Sequence, residues 1–121
     1  MKTALVVVAL VAAACSSSTS GGGGGGAPFE VEGTPVATTH VELPQSYQFS
    51  PAVITVKAGS TVTWTNHDNF PHNVTLLDGS GVSKDVAIGA TVSIEFDHAG
   101  TVYYHCAIHP QQMHGKVIVT G

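Results

Sequence analysis

Arginine is absent from this 121-residue chain, and lysine appears four times against eight acidic residues. Charged residues make up 10% of the chain and the net charge at pH 7 is −4. No basic face is available to grip a phosphate backbone, so nucleic acid is excluded as a partner. Docking on a basic protein stays open to a mildly acidic surface. Long apolar runs are also missing. Ala4 to Ala14 is uninterrupted, but it falls short of the roughly 20 residues that cross a bilayer. No helix-period pattern of useful length appears. Cysteine is scarce, with only Cys15 and Cys106.

The N-terminal quarter reads as targeting and tether. Met1-Lys2, the apolar run and the small residues before Cys15 describe a secretory signal over residues 1–14. Val11-Ala12-Ala13-Ala14-Cys15 resembles a bacterial lipobox, in which the cysteine is lipidated. Ala12-Ala13-Ala14 also fits plain signal cleavage. Ser16 to Ser20 followed by Gly21 to Gly26 cannot build a core. Such a chain reaches on the order of 20 Å, which makes sense if its upstream end is anchored. Residues 15–38 are therefore assigned to a lipidated cysteine and flexible linker, with 27–38 as further linker or a loose first strand. The expected location is extracytoplasmic, on a bacterial membrane. If Cys15 carries lipid, Cys106 stands alone where disulfide pairing is the usual fate of a thiol. It must then be buried or hold a metal.

Residues 39–121 remain for one small core. Val, Ile, Thr, Tyr and Phe dominate, punctuated by Gly, Pro, Asn and Asp, a composition that favours strands. Strands are expected over 51–56, 61–66, 72–76, 91–96, 101–106 and 115–119, separated by turns at Lys57-Ala58-Gly59-Ser60, Asp78-Gly79-Ser80-Gly81 and His98-Ala99-Gly100. Short strands with turns every ten residues or so predict an all-β antiparallel sandwich. Parity places His72 with Val74 and Leu76, and Cys106 with Val102 and Tyr104, on core-facing sides. His105 falls on the opposite side from Cys106.

Cys106, His109 and Met113 offer a thiolate, an imidazole and a thioether with spacing C-x2-H-x3-M, and His72 lies upstream. Two imidazoles and a thiolate with a weak axial thioether suit copper cycling between Cu(I) and Cu(II). His40, His67 and His98 read as solvated turn or strand residues. Loop polarity accounts for the neighbouring His67 and Asp68, and Trp64 reads as a core aromatic.

The segments Phe49-Ser50-Pro51, Val56 to Asn66, Pro71-His72-Asn73-Val74, Gly100 to Cys106, and His109-Pro110 through Met113 to Val117 together resemble a cupredoxin of the plastocyanin and amicyanin group. The resemblance implies a Greek-key β-sandwich binding one type 1 copper ion. It makes His72, Cys106 and His109 the equatorial ligands and Met113 the axial one. Three residues separate His109 from Met113, where plastocyanins usually have four and amicyanins two, so His114 stays open as the axial alternative. The resemblance also implies that the Asn73 N–H bonds the cysteine sulfur, that the Asn73 side chain ties the two ligand segments together, and that the His109 edge is the electron exit. The expected function is one-electron transfer with redox protein partners, as a tethered monomer rather than an enzyme. Ala107 interrupts the flanking-histidine pattern of multicopper oxidases, and neither a second copper set nor a second domain is visible. Copper storage or delivery is the competing reading.

Overall fold

Thr61 to Trp64 shows why this chain forms strands. β-branched residues fit an extended backbone, and alternate side chains point to opposite faces. Val62 and Trp64 are fully buried while Thr61 is exposed and Thr63 half-buried. The computed structural model describes residues 27–121. Residues 1–14, expected above to be a signal, Cys15 and the expected linker as far as Gly26 lie outside the described residues. Among those described, strands run over Val36–Ala37 (β1), His40–Leu43 (β2), Val53–Lys57 (β3), Ser60–Asn66 (β4), His72–Leu76 (β5), Ser83–Val86 (β6), Thr91–Phe96 (β7), Gly100–His105 (β8) and His114–Thr120 (β9).

They form two sheets, one ordered β1-β3-β9-β8-β5-β6 and the other β2-β4-β7. The all-β, two-sheet architecture expected from the sequence is what the structure shows. Not every ladder is antiparallel: β1–β3, β2–β4 and β3–β9 pair in parallel. The turn after β3 explains part of this. Ala58 and Gly59 donate to Thr120 O and Phe96 O, at 2.7 Å each, so the turn arches from one sheet to the other instead of closing a hairpin. Gly59 takes φ +92 there, a conformation open to glycine without a Cβ penalty.

Trp64 from the smaller sheet meets Tyr104 from the larger edge to face at 5.3 Å, and Phe49 meets the same ring at 4.7 Å. These aromatics and a shell of Val, Leu and Ile fill the space between the sheets. Gly115 faces Tyr104 across the β8–β9 ladder. A Cβ at Gly115 would fall 2.3 Å from Tyr104 Cζ, so the ring fits only over a glycine.

Three strands do not stand out in the sequence. β6 has three exposed residues out of four, β2 is only four residues long, and β1 has two. β1 and Phe29 both fall within residues 27–38, read above as further linker or a loose first strand, and β1 is a strand of two residues there. Val36 pairs with Ile54, and Phe29 stacks on His114 with ring centroids 3.9 Å apart. Packing therefore extends upstream of residue 39.

Candidate metal centre

β5 and β8 lie side by side, with Thr75 opposite His105 and Leu76 opposite Tyr104. Followed toward the ends of the strands, that register brings His72, at the start of β5, beside Cys106, just past the end of β8. The following segment folds back through a succession of turns. Cys106 O accepts from His109 N, and His109 O accepts from both Gln112 N and Met113 N, each at 3.1 Å. Cys106 N closes the loop by donating to Met113 O at 3.2 Å. A seven-residue excursion thus returns to its origin and carries the His109 ring back over Cys106.

The donor atoms of His72, Cys106 and His109 all lie within 4.8 Å of one another. Cys106 Sγ stands 3.7 Å from His72 Nδ1. Cys106 and Met113 are completely buried and His72 nearly so. His109 Nδ1 is buried without a hydrogen-bond partner. An imidazole nitrogen withdrawn from water and left unpaired is costly, unless a metal takes its lone pair. The thiol is free. Two imidazoles and a thiolate converging in a dry pocket fit copper, and the buried thioether of Met113 adds a soft donor of the right kind.

His114 belongs to another surface. It is half-buried, its Nε2 contacts Pro110 O, and its ring lies flat on Phe29 at an interplanar angle of 8°. It faces His105 across the ladder. Burial and the neighbouring His114 charge together push the His105 imidazole below its usual value.

Asn73 joins the two segments. Its N–H points at Cys106 Sγ at 3.4 Å, and its Oδ1 accepts from Ala107 N at 2.7 Å and from the Thr75 hydroxyl at 3.0 Å. The N–H contact orients the sulfur, and the side-chain bond fixes the loop to β5.

Three contributors escape the sequence reading. Asp68, assigned there to loop polarity, is buried, and its Oδ2 lies 2.8 Å from His72 Nε2. That contact fixes the imidazole so that Nδ1 faces the sulfur. Burial raises the Asp68 carboxyl, but hydrogen bonds from His72 and the Asn69 N–H, with attraction to His72, outweigh it and hold the carboxyl below its ordinary range. Asn66, fully buried, donates to Phe70 O and Val86 O and accepts from Asp68 N at 2.8 Å, which shapes the loop into β5. Tyr47 packs its ring on His109 at 4.5 Å and edge-on to His72 at 6.0 Å. It reaches there from two consecutive non-glycine residues with positive φ, Ser46 at +93 and Tyr47 at +54. The i to i+4 spacing of Asp68 and His72 was the one available signal, and nothing in the sequence pointed to Tyr47.

The profile of the family described as a cupredoxin-like domain matches residues 4–119. The chain is similar to amicyanin-alpha of Methylorubrum extorquens, 40% identical over 94 residues that cover 74% of this chain and 77% of that protein. It is also similar to the chloroplast plastocyanin of Tetradesmus obliquus, 41% identical over 83 residues covering 59% and 57%. A solved structure of a reduced amicyanin variant superposes with a TM-score of 0.60 at 33% identity, covering 74% of this chain and 86% of that one.

Proposed function

Because the chain belongs to the cupredoxin-like family, we propose that it is a type 1 copper protein that carries single electrons between redox proteins on the extracytoplasmic side of a membrane. The observation that carries this reading is the convergence of His72, Cys106 and His109 within 4.8 Å, with His109 Nδ1 buried and unpartnered. When bound, copper accepts and returns one electron by moving between Cu(I) and Cu(II). The chain's own residues do the rest. His72, oriented by Asp68, and His109 present Nδ1 atoms, and Cys106 presents a thiolate steadied by the Asn73 N–H. Complete burial of Met113 supports it as the axial donor, and the stacking of His114 on Phe29 argues for excluding that imidazole. Ligands fixed by the sheets need little rearrangement when the charge changes.

His109 is the exit in this reading. Its ring is only partly buried, and Ile108 and Phe70 are each 50% exposed, giving a small apolar margin for brief docking. We assign residues 1–14 to a signal and Cys15 to lipid attachment, with the monomer tethered through the serine- and glycine-rich segment.

Copper loading should give an intense visible thiolate-to-copper absorption that disappears in Cys106→Ser. A colourless Cu(I)-only or zinc protein would overturn the reading. Rapid electron exchange with a soluble cytochrome is expected of a carrier and not of a storage protein. Incorporation of labelled fatty acid, lost in Cys15→Ala, tests the tether.

A further inference from the structure

A second group of ligating side chains meets on the outer face of the smaller sheet. Glu42, on edge strand β2, lies between two imidazoles. His40, two residues earlier on the same face, brings Nε2 to 2.7 Å from Glu42 Oε1. His67, just beyond the end of β4, brings its Nε2 against Glu42 Oε2. The second nitrogen of His40 is also engaged, because Nδ1 lies 2.8 Å from Thr63 Oγ1, whose own proton is directed to Thr39 O. The Thr63 contact holds the ring with Nε2 turned to the carboxylate.

Each of these contacts joins an imidazole nitrogen to a carboxylate oxygen. The same nitrogens and oxygens are the donor atoms that a divalent ion takes when it displaces the protons between them. Two imidazoles and one carboxylate are a donor set for Zn²⁺ or Cu²⁺. The side chains of His40, Glu42 and His67 are 50%, 39% and 58% exposed, while Glu42 Oε2 is itself withdrawn from solvent beneath His67 without a hydrogen-bond partner. The two imidazoles approach different oxygens, so closing them on one ion takes a rotation, and the exposure of both rings permits it.

We propose that His40, Glu42 and His67 form a second, surface site for a divalent transition metal. An ion there ties edge strand β2 to the end of β4. His67 is followed in the chain by Asp68, whose carboxylate faces the other way and holds His72, so the two sites stay separate.

The test is titration of Zn²⁺, a redox-silent probe, into the copper-loaded full chain, followed by calorimetry and by thermal unfolding. One further equivalent is expected to bind and to raise Tm. Glu42→Gln, His67→Ala and His40→Ala should each weaken that step at least tenfold and abolish the Tm gain. The visible copper absorption, unchanged in all three, reports that they fold. No Zn²⁺ binding at millimolar concentration in the parent chain overturns the proposal, as does binding of undiminished affinity in the three variants. If the chain does not take copper, Zn²⁺ fills the buried set first, and the surface site is then the separate step sensitive to Glu42→Gln.

Discussion

Asp68 shows how a single side chain can govern a centre it does not enter. Its carboxylate holds His72 Nε2 at 2.8 Å in a buried setting. Asp68→Ala leaves that N–H without a partner, at a cost of about 1–3 kcal/mol. It should weaken copper binding by roughly 10- to 100-fold, measurable by competition with a chelator of known affinity. The folded-state carboxyl is held below its ordinary value of 3.8, so the sign follows. The stabilisation is complete above that value and is lost as pH falls through the lowered one. Acid unfolding should show this component in the parent chain and lack it in Asp68→Asn. Gly115 makes a purely steric prediction. A methyl group 2.3 Å from Tyr104 Cζ must push that ring off Trp64, so Gly115→Ala should lose about 1–3 kcal/mol in denaturant unfolding. Cysteine, histidine and methionine announce their chemistry from sequence because few other roles suit them at such spacing. Asp68 and Tyr47 do not, since only the fold decides which of many acids and aromatics approach the imidazoles.

Among the elements, the loop from Cys106 to Met113 has the most consequence. Its turns run through His109 O, which accepts from both Gln112 N and Met113 N, and Gln111 and Gln112 are exposed. Deleting Gln111 should therefore preserve the cysteine and both imidazoles while displacing Met113. The intense visible band is expected to persist, with a shifted reduction potential and an altered electron paramagnetic resonance spectrum. Loss of the band would show that the loop cannot re-close. Strands buried on one face were legible, because Thr61 to Asn66 and Thr91 to Phe96 alternate cleanly and both form ladders. β6 was not, because an edge strand with three exposed residues carries no alternation to read. The parallel β3–β9 ladder was also hidden, since strand direction depends on which sheet a turn delivers the chain to.

At the scale of the whole molecule, two sheets clasp one core and the metal donors gather where β5, β8 and the start of β9 converge. The fold class could be read from composition and turn spacing. The way the N-terminal segment joins the domain could not, because Phe29 packs ring to ring on His114, His105 and Tyr103 with no alternation in its neighbours to announce it. Metal binding to the folded state alone should raise Tm as copper is added, by an amount that grows with its free concentration. Comparing apo and loaded protein by calorimetry checks this, and an equal Tm would show that the pocket is not the binding site. The Phe29–His114 stack has a mechanical consequence as well. A pull on the chain from its N-terminal side meets that ring before it reaches β1 or β2, and His114 follows directly on Met113. Stretching force is thus delivered first beside the copper loop, and a weak stack acts as a fuse, parting before the ladders are strained. In a force spectrometer the first small extension should come from this release, with the colour of the centre unchanged.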